Sequence, residues 1–206
     1  MQSWWGMAEV VSASAEYADS SLPRPPSTIV SLPTLVFVVP SLIFMLTAVV
    51  GGWLWALEFG HVAFGAGWTI IDLFLGFVLG PMMARMPIRA RLEMITRLMP
   101  KISLLLPTLV TVTLVCGYQL ALQLGTIYEP YVHHAWVVAS FVIVGVMTIV
   151  ALGVNEPTNL AVLFELRKPR PNLERIERLM KRFIWSAAIL GSMQLGTLII
   201  MARLAI

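Results

Sequence analysis

Three histidines and one aspartate carry most of the chemistry this sequence offers. His61, His133 and His134 are its only imidazoles, and Asp72 stands inside a long apolar run. Neutral imidazole is a common ligand of haem iron, copper and zinc. His61 lies about one turn inside an apolar segment, and His133 and His134 lie in the first turn of another. If both segments enter a membrane from the same side, the histidines sit at similar depth and can face one site, as cofactor or metal ligands. The alternative is a set of interfacial histidines bonded to headgroups, water or carbonyls. Ionisable groups inside a membrane are functional candidates by default. Glu58 and Glu129 each precede a histidine by about one turn. Either is a candidate to orient its imidazole, against a bland reading as a solvated loop acid.

Asp72 follows His61 by eleven residues. At ~100° per residue that is three helical turns, so both project from one face, with Phe64, Gly65 and Trp68. A carboxylate in mid-membrane is costly unless it is neutral or paired. Three roles compete: a proton relay, a partner for a basic group on another helix, or a protonated acid bonded to a neighbouring Ser, Thr or Gln. Gly60, Gly65, Gly67, Gly76 and Gly80 make the same segment rich in small residues. They permit close approach of another helix or of a flat macrocycle, and helix packing is the commoner cause. Asn155 and Asn159, four apart, share a face and either bind a polar ligand or cap a break in the helix.

The elements that must position these groups follow from composition. Of 206 residues, 58% are hydrophobic and 12% charged, and the mean hydropathy is +0.84. A soluble domain of this length needs a charged surface that this chain lacks. The apolar residues form long continuous blocks without the alternation of outer-membrane strands. The expected fold is all-α, an integral membrane bundle of five transmembrane helices spanning about 34–55, 57–83, 102–124, 131–154 and 183–205. These form a single domain, 29–206. Residues 1–28 read as a tail with a Pro-rich linker and a Trp4-Trp5 pair; they lack the basic start and apolar core of a signal peptide.

The positive-inside rule sets the orientation. Arg85, Arg89, Arg91, Arg97 and Lys101 follow the second span, and Arg167, Lys168 and Arg170 follow the fourth. Both loops are expected in the cytoplasm, with the N-terminus; the C-terminus and all three histidines then lie towards the outside. The basic residues read as topology rather than nucleic-acid binding. Leu92, Ile95 and Leu98 suggest an interfacial helical turn, Pro107 a kink, and Asn172 the N-cap of the last helix. Cys116 is the only cysteine, so the chain has no disulfide or thiolate cluster of its own. Phosphate-loop, catalytic-triad and zinc-protease motifs are absent from the sequence.

His61, Gly67-Trp68, Gly80-Pro81, the basic run Arg85 to Arg97, Pro100 and Cys116-Gly117 together resemble the CopD-type superfamily. That group contains copper-resistance membrane proteins and haem-binding HemJ-like membrane oxidases. The resemblance covers about residues 55–125 and implies His61 as a haem or metal ligand. Separately, Asn155-Glu156-Pro157-Thr158-Asn159-Leu160 resembles the Asn-x-Pro-x-Asn signature of small anthrone-oxygenase-like membrane proteins. The leading expectation is a redox-associated protein of the cell membrane, multi-pass, binding a b-type haem, with copper the alternative, near the outer face. His61, His133, His134, Asp72 and Trp68 are its candidate site, and whether it is an enzyme stays open. Its expected partners are the lipid bilayer and other membrane subunits or a second copy. The rival is a cofactor-free accessory subunit of a larger membrane complex.

Overall fold

The structure, a computed structural model, describes residues 31–128, 133–168 and 171–204. The Trp4-Trp5 pair, the Pro-rich linker and Glu129 lie outside the described residues. Among those described, every element is helical, and five helices are long and apolar enough to cross a membrane. They are α1 (Leu32–Gly51), α2 (Leu54–Ala84), α3 (Ile88–Gln123), α4 (His134–Leu166) and α5 (Leu173–Leu204). In lipid every backbone N–H and C=O must be satisfied internally, and continuous helices do this without partners. Large apolar side chains on the outside of the bundle, among them Val36, Val50, Trp55, Ile149 and Ile199, are more than two-thirds exposed. Such surfaces suit lipid rather than water.

The helices extend beyond the apolar stretches that suggested them. The expected interfacial turn around Leu92 is the first part of α3, which runs through Pro100 and Pro107 without stopping. The Asn155–Asn159 segment does not break α4. The helix instead widens into a π turn over Ala151–Asn155 and continues to Leu166. Asn155 makes no capping bond there. Pro157 supplies no N–H, and a locally re-registered helix accommodates that loss without ending. A second π turn, Phe74–Leu79, lies within α2.

Connections are short and locally determined. Gly52, with φ +62°, ends α1 in the left-handed conformation that glycine adopts without penalty. Its N–H donates to Val49 and the Trp53 N–H donates to Ala48, closing the last turn of α1. At the other end of α2, buried Arg91 donates from Nε to the Met83 carbonyl and from Nη2 to the Met86 carbonyl, each at 3.0 Å. It adds a charged donor at the helix end, where the Met83 carbonyl also accepts from the Met86 N–H at 3.2 Å. The Asn172 side chain accepts from the Arg175 N–H at 3.0 Å, the expected cap of α5. Buried Glu165, near the end of α4, receives Lys168 at 2.7 Å, the Asn172 N–H at 3.2 Å and Arg175 at 3.3 Å. This ties the ends of α4 and α5 together.

α3 is the central helix: 56% of its apolar window is buried, against 22% for α1 and α4. α2 packs on α3, α5 and α1, while α4 packs on α5 and, through its later part, on α3. Neighbouring residues fix the directions. Gly60, Gly65 and Gly67 meet Cys116, Thr113 and Leu109 in turn, so α2 and α3 are antiparallel. Gly76 and Gly80 meet Ala188 and Ile184, so α2 and α5 are antiparallel too. One core cluster, around Met83, Met99, Leu163, Met180 and Phe183, fills the Arg85 end of the bundle. A smaller one around Leu57, Val112 and Cys116 fills part of the Leu54 end.

Candidate functional site

His61 sits seven residues into α2, about 10 Å along the axis from Leu54. Its Nδ1 lies 2.9 Å from the Thr113 carbonyl oxygen of α3. A carbonyl only accepts, so Nδ1 carries the proton and Nε2 carries the lone pair. Gly117, one turn further along α3, lies under the imidazole, and a Cβ there would overlap the ring. The half-buried ring is therefore held by a hydrogen bond on one side and a glycine on the other. Its orienting acceptor is this carbonyl; Glu58 lies exposed at the end of the helix.

His133 and His134 begin α4. On α4 and α5, Asn155 meets Ser186, while Ala151 and Leu190 share one cavity. These helices are thus antiparallel, and α4 runs parallel to α2. The three histidines stand at one end of the bundle, on helices with different principal neighbours. Among the described residues, no three His, Cys, Asp or Glu side chains come together to hold a metal ion.

Asp72 does not share a site with His61, although both belong to the buried side of α2. Eleven residues separate them by about 16 Å along the axis. His61 faces α3, whereas Asp72 is fully buried and meets α5. The Gln194 side chain donates from Nε2 to Asp72 Oδ2 at 3.1 Å. The Trp68 indole, one turn earlier on α2, is the carboxyl's other hydrogen-bonding neighbour. Of the partners considered for Asp72, the structure supplies the glutamine. Asp72 Oδ1 and Gln194 Oε1 are both buried without a hydrogen-bond partner among the described residues. The Asn155 side-chain oxygen accepts from the buried Ser186 hydroxyl of α5. Asn159 is fully buried, and neither end of its amide has a partner among the described residues.

Of these groups, Trp68, Asp72 and Asn155 line a cavity of about 10 Å³ between α2, α3, α4 and α5. Trp68 and Asp72 of α2 and Asn155 and Glu156 of α4 supply its polar lining; Leu106, Pro107 and Val110 of α3 and Leu190 of α5 supply much of its apolar wall. Both π turns adjoin it: one begins two residues after Asp72, and the other ends at Asn155. π turns are rare and concentrate at functional sites. Buried polar atoms without partners are rare too, because each costs about 1–3 kcal/mol.

All five glycines of α2 noted from the sequence are covered by other helices. Gly60 abuts Cys116 and Phe44, Gly65 Thr113, Gly67 Leu109, Gly76 Ala188 and Gly80 Ile184. Helix packing accounts for each of them. The sequence reading did not single out Gln194, Ser186 or Glu156. The signal present for Gln194 was a lone amide in mid-span, at a depth that matches Asp72 once α2 and α5 are known to pair. No family model, curated protein or solved structure matches this chain.

Proposed function

We propose that this chain is a redox-associated, multi-pass protein of the cell membrane that holds a b-type haem near the outer face through His61. The observation that carries the reading is the Nδ1 bond from His61 to the Thr113 carbonyl, which leaves Nε2 as the ligating atom. Metal-bound histidines ordinarily hold their second ring nitrogen in this way, which fixes the tautomer and raises ligand basicity. A haem needs only one or two axial nitrogens, so it suits this donor set better than a copper or zinc ion requiring three or four. His133 or His134, on the parallel helix α4, is the second axial candidate. A bound haem would supply one-electron chemistry, and the protein would position it and exclude water.

The membrane orientation follows from charge. The Arg85–Lys101 and Arg167–Arg182 regions carry twelve of the fourteen basic residues and belong in the cytoplasm. The Leu54 and His134 ends of α2 and α4 then face outward. Absorption spectra of the purified chain, oxidised and then reduced, test the proposal. A Soret band that disappears in His61→Ala is expected. A colourless protein that copurifies stoichiometrically with larger subunits would replace this reading with that of an accessory subunit.

A further inference from the structure

Asp72 and Glu156 bring two carboxyl groups to one small cavity between α2, α3, α4 and α5. Among the described residues, no Lys, Arg or His lines that cavity. The elements packed around Asp72 offer it no countercharge either. α1 contains no ionisable residue between Leu32 and Gly51. The basic residues of α3 lie between Arg89 and Lys101, and Arg91 is spent on the carbonyls of Met83 and Met86. Those of α5 lie between Arg175 and Arg182, apart from Arg203 at the far end. What faces the Asp72 carboxyl is Glu156 across the cavity, the Gln194 amide and the Trp68 indole.

The two atoms of the Asp72–Gln194 pair left without a partner among the described residues are both acceptors. Asp72, wholly buried, leaves Oδ1 open, and the Gln194 amide that holds its other oxygen leaves Oε1 open. Both seek a hydrogen-bond donor or a positive charge. The cavity, at about 10 Å³, has room for a single water-sized occupant and none for an organic ligand. A π turn adjoins each carboxyl-bearing segment, and such turns concentrate at functional sites.

We propose that the cavity between Trp68, Asp72, Asn155 and Glu156 is a binding site for one small monovalent cation, either sodium or a proton carried on water. Oxygen ligands are what a hard cation takes, and a single positive charge offsets the buried Asp72 carboxylate, which no cationic side chain pairs among the described residues. The site is separate from His61 and does not depend on a haem.

The test is thermal unfolding of the full chain in nanodiscs, in sodium chloride and in choline chloride at equal ionic strength, each over a range of pH. A saturable stabilisation by sodium identifies the metal ion. At a concentration one hundred times its dissociation constant, the folded-to-unfolded ratio should rise about 100-fold. Stabilisation that follows acidification alone, and is lost in Asp72→Asn, identifies the proton. In either case Glu156→Gln weakens the response. Should Asp72→Asn fail to fold, Glu156→Gln and the wild-type titrations carry the test. A wild-type stability indifferent to both sodium and pH, or a response unchanged in both variants, overturns the proposal.

Discussion

Adding a single methyl group at Gly76 tests how α2 and α5 are held together. A Cβ built there falls 2.5 Å from Ala188 Cα, 2.6 Å from its Cβ and 2.8 Å from its backbone nitrogen. Two of those atoms are backbone, so no side-chain rotation relieves the clash and the helices must separate. Overpacking of this kind costs about 1–3 kcal/mol. Ala also gains about 1 kcal/mol over Gly in a helix interior, which partly hides the loss. Gly145 of α4 isolates that second effect, because among the described residues nothing lies within 4 Å of a Cβ added there. Subtracting Gly145→Ala from Gly76→Ala removes the propensity gain and leaves the clash. The expected difference is about 1–3 kcal/mol, or roughly a five- to 150-fold change in the unfolding constant. Reversible unfolding in mixed micelles, measured by tryptophan fluorescence, reads it directly. Equal stabilities for the two variants would show that α2 and α5 do not meet at Gly76, and the Asp72–Gln194 contact would fall with that pairing.

Arg91→Ala should destabilise the chain by about 2–4 kcal/mol, because it takes the charged donor away from the Met83 and Met86 carbonyls, the first of them buried. Arg91→Lys should recover less than half, since an ammonium lacks the fork that reaches both carbonyls. Arg97→Ala is the charge-matched control. Its pair with Glu93 is exposed, and its removal should cost under about 1 kcal/mol. Asn172→Ala should cost about 0.5–2 kcal/mol and increase amide exchange at Arg175, whose N–H loses its cap.

The five helices were legible in the sequence because lipid imposes the simplest of patterns, long apolar runs separated by charge and Pro. The cap at Asn172 was legible for a similar reason, being set within one turn of chain. The helix ends were less so. Continuation through Pro100, Pro107 and Pro157 depends on packing around each ring, and that packing comes from other helices. The dual nature of Arg91 was hidden as well. In the sequence it is one of five basic residues marking a loop; in the structure it is buried and ties that loop to the end of α2. The histidines' shared end of the bundle follows from counting spans. The partner of His61, a backbone carbonyl, has no side-chain signature that a sequence could display.

Helical periodicity placed His61 and Asp72 on one face, and that geometry is right for a straight helix seen alone. It does not imply one site. A face of a 31-residue helix is about 46 Å long and meets different neighbours along its course. The glycines decide which neighbour lies where. Gly60, Gly65 and Gly67 draw α3 against the half of α2 that holds His61, while Gly76 and Gly80 draw α5 against the half that follows Asp72. The changeover falls between Gly67 and Gly76, where Trp68, Asp72 and the π turn stand. There the helix leaves one partner for another, and the interior is incompletely filled. The small polar cavity occupies that changeover, with Pro107 and Leu106 of α3 on one side and Leu190 of α5 on the other. The same small residues that make α2 pack closely therefore also divide it into two chemically distinct halves, one presenting an imidazole and the other a carboxyl.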